Sequence, residues 1–324
     1  MGIYFFHQKP YKFDEVLINL PVQTPINIIM IYTQSRNMLE KISLRHITLL
    51  IIAMKVAMAL YLFWGIINRG GTETAFAFDW SFLGFLLTGF IAQLIDGALG
   101  MAHGVTCTSL LFYFGVSPAV ATASVHTTKV FTAGASGLSH LYLGNVDRKL
   151  LLRLILPGIL GAVIGAYMIS EVFDGKWIKP YITMYLLFLG VLILLKSFRT
   201  QRPKTEVKFV SLLGAFGGFF DSIGGGGWGP IVTSNIVNQG NDPREAVGTV
   251  NTAEFFVAFF STMVFLVFVV VESWQVVLGL IAGGLLAAPL GALLVRQIRP
   301  KTLMFLVGIT IILSQSYNLY SWLF

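Results

Sequence analysis

Charge is what this sequence has least of. Only 11% of its 324 residues are Asp, Glu, Lys or Arg, against about 25% in soluble domains. With 56% hydrophobic residues and a mean hydropathy of +0.78, that shortage excludes an ordinary soluble domain and implies a membrane protein. Cysteine is nearly absent too. The single Cys107 allows no internal disulfide, and in its Gly/Thr-rich surroundings it reads as a small packing residue rather than a reactive one. No GxxxxGK[ST] string occurs, and no soluble stretch is long enough to hold a nucleotide-binding domain. The sequence calls for no cofactor and no metal. The net charge of +7 sits at loops, so it is no nucleic-acid signal. No signal peptide is expected, because the first apolar stretch, 16–32, carries Pro21, Pro25 and Asn residues and reads as interfacial or loop.

What is present is a set of long apolar runs. Several qualify as candidate spans, which need about 20 mostly apolar residues: His46–Asn68, Ala119–Leu143, Leu150–Ile169, Pro180–Leu195, Glu245–Val271, Trp274–Val295 and Thr302–Phe324. The chain also repeats itself. IDGALGMAHGVTCTS (95–109) returns as FDSIGGGGWGPIVTS (220–234). At one ungapped offset Gly89, Asp96, Gly100, Gly104, Thr108, Ser109, Gly115 and Pro118 meet Gly214, Asp221, Gly225, Gly229, Thr233, Ser234, Gly240 and Pro243. Chance hydrophobic likeness would not match these residue types. The implied organisation is an N-terminal cytoplasmic or interfacial segment (1–45), an extra span (46–68), and two membrane repeats (81–197 and 207–323). Paired, Gly-interrupted apolar segments in two halves of a membrane chain point to a transporter's binding site.

Basic residues cluster in cytoplasmic loops. Lys196, Arg199, Arg202, Lys204 and Lys208 mark one such loop, Arg148, Lys149 and Arg153 another, and Arg296, Arg299 and Lys301 a third. Arg36, Lys41 and Arg45 precede the first span, which places the N-terminus inside and the C-terminus outside. The loops around Glu171–Lys179 and at Glu272 lack this excess. The two repeats then run in opposite senses, an inverted-topology pair. Each opens with apolar pieces of about 15–18 residues, too short for a secure crossing of a ~30 Å core. Re-entrant helical hairpins are favoured, although two full spans each would preserve the same inversion. The expected fold is thus an all-α polytopic membrane protein. Each repeat is a broken or re-entrant hairpin followed by three spanning helices.

The breaks fall at GALGMAHG (97–104) and GGGGWGP (224–230). Gly97, Gly100, Gly104, Gly224, Gly225, Gly226, Gly227 and Gly229 disfavour continuous helix and permit close backbone approach. A helix that restarts after a break offers N–H groups that favour an anion. Thr106, Thr108 and Ser109 follow the first break, and Thr233, Ser234 and Asn235 the second; these neutral donors suit a small oxyanion. The bland alternative is tight packing of Gly-rich helices. Asp96 and Asp221 precede the breaks at equivalent positions. Each caps the amides of its own loop, or carries a proton, or binds a cation.

The helix after each break is also matched. His126, Lys129, Ala133, Ser136 and His140 share one face at i, i+3, i+4 spacing, and Asn251, Glu254, Ala258 and Ser261 occupy the same face of the second repeat. Lys129 stands where repeat two has Glu254, so a pseudo-two-fold axis would bring them together as a buried ion pair. His126 is then the better candidate for substrate or proton. His103 reads as a polar ligand and Trp228 as a wall or gate, each against simple packing. His140 suits the cytoplasmic interface, and Lys55 in the first span faces the bundle or snorkels.

The strings IDGALGMAHGVT (95–106), ATASVHTTKVFTAGASGLSHLYLGNVD (121–147) and GGFFDSIGGGGWGPIVTSN (217–235) together resemble the sulfite exporter TauE/SafE family. The likeness covers roughly residues 82–323. It implies a bacterial-type multi-pass plasma-membrane transporter of small sulfur-containing anions such as sulfite or organosulfonates. In that family an acidic residue commonly follows the His-Thr pair; this chain has Thr128 and Lys129 there, which bears on the role of Lys129. The function expected is export of a small oxyanion by alternating access, with substrate and lipid bilayer as the only partners. An anion channel is the near alternative. An aspartic hydrolase built on Asp96 and Asp221 is the distant one.

Overall fold

A backbone in lipid must satisfy its own hydrogen bonds, so apolar runs of this length become helices. The computed structural model describes residues 43–68, 80–99, 103–198, 207–239, 241–269, 274–294 and 300–323. The expected segment 1–45 and the loop 198–206 lie largely outside the described residues. Helix α1 covers Leu44–Asn68, α2 Trp80–Leu99, α3 His103–Tyr113 and α4 Pro118–Tyr142. Helix α5, Arg148–Tyr167, runs on into a π-helical turn, Met168–Val172, and α6 follows at Gly175–Lys196. The second half has α7 (Val210–Gly224), a π-helical turn (Gly229–Thr233) leading into α8 (Ser234–Asn238), α9 (Pro243–Phe268), α10 (Trp274–Leu294) and α11 (Pro300–Leu323).

Local chemistry sets several ends. Pro118 opens α4, where a missing N–H costs nothing. Asp147 caps α5 by accepting from the Leu150 amide at 3.0 Å, and Asp174 caps α6 through the Lys176 amide at 2.8 Å. Among the described residues, four helical stretches are long and apolar enough to cross a membrane: Leu44–Gly65, Arg148–Val172, Gly175–Lys196 and Glu245–Phe268. Helix α4 has the length but not the hydropathy. Its Thr122, Ser124, His126, Thr127, Thr128, Lys129 and Thr132 are all buried in the bundle, where polar side chains serve instead of lipid-facing ones.

The pieces flanking the breaks are less equal than their sequences suggest. The first pair has 20 and 11 residues, and the second has a 15-residue arm followed by a short π turn and α8. At 1.5 Å per residue, α3 is only about 16 Å long, roughly half a bilayer core.

Packing exchanges the two halves. Helix α2 packs on α10 and α7 on α5; α5 lies on α9 and α10 on α4; α4 meets α9 and α6 meets α11. Swapping each helix for its sequence counterpart maps these contacts onto one another. Helices α5 and α7 approach through glycine: a Cβ on Gly161 would sit 2.8 Å from the Ala215 carbonyl carbon. Helix α9 is central, with 67% of its apolar window buried, whereas α1 is peripheral at 22%. Leu111, Phe112, Val125, Leu186, Phe265 and Leu280 join in one apolar core. Leu60, Phe63, Leu156, Leu160 and Phe188 point outward, fully compatible with lipid contact and costly in water. Leu44–Phe324 forms one compact unit.

Candidate functional site

The two breaks meet each other. A Cβ on Gly226 would lie 2.7 Å from the Gly104 carbonyl carbon and from Val105 Cα, so the second break rests on the first turn of α3, backbone to backbone. Gly225 adopts φ +67, a left-handed conformation that ends α7 without the Cβ penalty another residue would carry. Its missing side chain also makes room for Thr108, whose Cβ would be 3.1 Å from an added Cβ.

Asp221 ties this junction together. It is fully buried near the end of α7. Its Oδ1 accepts from the Gly227 amide at 2.9 Å and the Trp228 amide at 3.1 Å, so the carboxylate closes the loop that follows it. Lys129 Nζ, from the middle of α4, donates to both Asp221 oxygens at 2.9 and 3.0 Å. The same ammonium lies 2.9 Å from Glu254 Oε1 on α9. The Lys129–Glu254 contact expected from the repeat is therefore present, but Lys129 serves a second carboxylate that the spacing did not suggest. In the first repeat Asp96 Oδ1 accepts from the His103 amide at 3.2 Å, the matching loop contact.

His126 sits one turn before Lys129 and faces the same acid. Its Nδ1 lies 2.9 Å from the Thr122 carbonyl, which only accepts, so Nδ1 donates. Its Nε2 is 3.2 Å from Asp221 Oδ2, close enough for an ion pair but not aligned as a hydrogen bond. The imidazole also packs on Phe265, with ring centroids 5.5 Å apart.

A cavity of about 10 Å³ opens at this junction, room for about one water. Asp96, Lys129, Asp221 and Glu254 line it, with His103, Val105, Pro230 and the glycines Gly104, Gly226, Gly227 and Gly229. His103 Nδ1 is buried without a hydrogen-bond partner. Its Nε2 is 3.7 Å from Cys107 Sγ, a weak contact that places the cysteine in packing. Among the charged side chains lining the cavity, three are carboxylates and one is an ammonium.

The neutral donors expected around the anion lie elsewhere. Thr106, Thr108 and Ser109 are buried on α3 with hydroxyls that lack partners, and none lines the cavity. Thr233 and Ser234 are buried and also stand off it. Asn235 is exposed and donates to the Ile231 carbonyl at 2.6 Å. Asn251 donates to Ser136 at 3.0 Å and so joins α9 to α4. Trp228 is fully buried, donates from Nε1 to the Val250 carbonyl at 3.0 Å and fills the gap that Gly158 and Gly217 leave. It packs α5 and α7 on α9 rather than walling the cavity. The amides of Gly227 and Trp228 are taken by Asp221, the capping arrangement that the sequence offered as one reading of that carboxylate. Gly97 and Gly224 remain in helix, and Gly100 lies outside the described residues.

Four participants stand outside the expected site residues. Val105 and Pro230 are apolar lining residues. Tyr185 of α6 brings its hydroxyl against Gly227, where no side chain would fit, and that hydroxyl is buried without a partner. Lys196, at the end of α6, donates to the Pro230 carbonyl at 3.0 Å and clamps the second break from its other flank.

Comparison with known proteins gives a consistent picture. The family model described as sulfite exporter TauE/SafE matches residues 85–317. The chain is 45% identical over 245 residues to the probable membrane transporter protein YtnM of Bacillus subtilis (strain 168), covering 72% of this chain and 81% of the relative. It is 23% identical over 279 residues to the probable membrane transporter protein YunE of the same organism, covering 75% of this chain and 99% of that protein. No solved structure matches.

Proposed function

This chain belongs to the sulfite exporter TauE/SafE family, a family of multi-pass membrane transporters, and from that premise we propose that it carries a small sulfur-containing oxyanion, of the sulfite or organosulfonate class, out across the plasma membrane. The observation that carries this reading is the junction of the two breaks around Lys129. Broken backbone at membrane depth persists only where it lines a cavity or is buried in protein, and here both breaks converge on one buried cation. An oxyanion seeks such a cation, and His103 offers an unpartnered nitrogen beside it.

The exchange of contacts between the halves supports an inverted pair, with each repeat opening on a re-entrant hairpin. The second arms are too short to cross, and they meet at Lys129, near the middle of α4. A cavity sized for one water fits a closed state of an alternating-access carrier rather than an open channel. A hydrolytic dyad is poorly served, because Asp221 is engaged by an ammonium and two amides instead of sharing a proton with Asp96.

The test is flux of radiolabelled sulfite, sulfate, thiosulfate and an alkylsulfonate in proteoliposomes of the purified chain. Saturable movement and counter-exchange of at least one sulfur oxyanion are expected. Flux that never saturates would point to a channel, and no flux of any of the four would refute the substrate class.

A further inference from the structure

The cluster around Lys129 holds its two carboxylates very differently. Asp221 is anchored by Lys129 through both oxygens and by two backbone amides. Releasing it would open the second break. Among the described residues Glu254 has one partner, the Lys129 ammonium at 2.9 Å, and it retains 7% exposure while Asp221 has none. Its helix runs intact through it, so its side chain can swing without disturbing backbone. With Glu254 in place, the cavity accepts one water and not a tetrahedral or pyramidal oxyanion.

We propose that Glu254 is a resident stand-in for the substrate. It occupies Lys129 in the empty carrier, and an arriving oxyanion replaces it there while Glu254 takes up one proton from the same aqueous side. The inference rests on the oxyanion reading above. On the opposite side the anion leaves, Glu254 gives up its proton to water, and the carboxylate returns to Lys129. Charge balances at each stage: one monovalent anion and one proton enter together, so the ammonium always faces one mobile negative charge. An ionised Glu254 left beside both Asp221 and a bound anion would put three negative charges against one lysine, a costly excess in a low-dielectric interior.

Other titratable groups face the same place. Asp221 from α7, Asp96 from α2, His103 from α3 and Lys129 from α4 share the cavity with Glu254. His126 reaches Asp221 from α4 and Tyr185 approaches Gly227 from α6. Lys55 of α1 crosses Gly134 of α4 beside Phe255, the residue after Glu254. Of these, Asp221 and Asp96 are committed to backbone amides. His103 is the one whose free nitrogen meets the anion directly, so its variant serves as the control.

The experiment uses an alkylsulfonate, 2-hydroxyethanesulfonate, because a sulfonate stays ionised across the range tested and any pH effect belongs to the protein. Its binding to purified full-length protein is measured from pH 5.5 to 8, and its flux is followed with a trapped pH dye at clamped zero voltage. The wild-type Kd should rise by about tenfold per pH unit over part of that range, the signature of one proton taken up per anion. A pH gradient alone should then drive sulfonate movement, with alkalinisation of the side the pair leaves. Glu254→Gln should flatten the pH dependence and make sulfonate flux electrogenic, while Glu254→Asp keeps the coupling. His103→Gln should weaken binding and leave the slope. A wild-type Kd independent of pH, coupling to a sodium gradient instead, or a slope that survives in Glu254→Gln would overturn the proposal. Should sulfonate fail to bind while thiosulfate, which also stays ionised over this range, binds with the same slope, the proton role stands and only the substrate is narrowed. Binding of none of them would overturn both readings together.

Discussion

Replacing Lys129 by Gln removes the ammonium that holds two buried carboxylates, and the structure sets the size of the consequence. Asp221 would keep the Gly227 and Trp228 amides, whereas Glu254 would lose the one partner it has among the described residues. Breaking a buried pair by deleting one member costs about 3–5 kcal/mol, because the remaining charge is left unpaired. Glu254→Gln is a milder change. Lys129 would still donate to both Asp221 oxygens at 2.9 and 3.0 Å, so the loss is near that of one charged hydrogen bond, about 1.5–3 kcal/mol. In the double variant no orphaned Glu254 remains, and it should be more stable than Lys129→Gln alone. The coupling in the cycle should therefore exceed the cost of Glu254→Gln itself, about 1.5–3 kcal/mol. The assay is denaturant-induced unfolding of the four proteins in one detergent, with expression yield as a second readout. Equal destabilisation by the two single substitutions, or strict additivity in the double, would refute this account of who holds whom.

Three further outcomes follow from the geometry. Gly226→Val should prevent folding or abolish transport, since its Cβ would stand 2.7 Å from backbone of the first break; normal flux and thermal stability would show that the breaks do not meet. Gly225→Ala should lose at least 1–2 kcal/mol from its left-handed φ of +67, and pairing it with Thr108→Ala should recover only the steric part, because Thr108 occupies the space a Cβ would take. In intact cells, single cysteines placed in 172–178 should label from outside and those in 198–206 or 297–301 only after permeabilisation; labelling of 172–178 and 198–206 from one side would rule out the inverted arrangement.

The sequence by itself determined the class, the helices and where they break. Shortage of charge forced a membrane protein, and a chain in lipid has little choice but helix. The expected spans His46–Asn68, Pro180–Leu195 and Trp274–Val295 fall within a few residues of α1, α6 and α10. The matched strings located the breaks, because Asp and Gly retained at the same offset in an apolar setting mark positions that packing alone does not explain. Periodicity put His126 and Lys129 on one face, and the repeat aligned Glu254 with Lys129. What it did not determine was partnership. The match of Lys129 with Glu254 gave a pair, whereas the bundle delivers a third group, Asp221, because α7 ends against the middle of α4. Spacing along a helix says which side chains share a face but not which neighbour arrives opposite it. The polar residues after each break looked like ligands from composition, yet Thr108 and Trp228 turned to fill gaps left by glycine, and Asn235 turned outward. Burial of a given hydroxyl or indole depends on which helix arrives against it, as Gly225 does at Thr108 and Gly158 at Trp228, and only the folded bundle sets that.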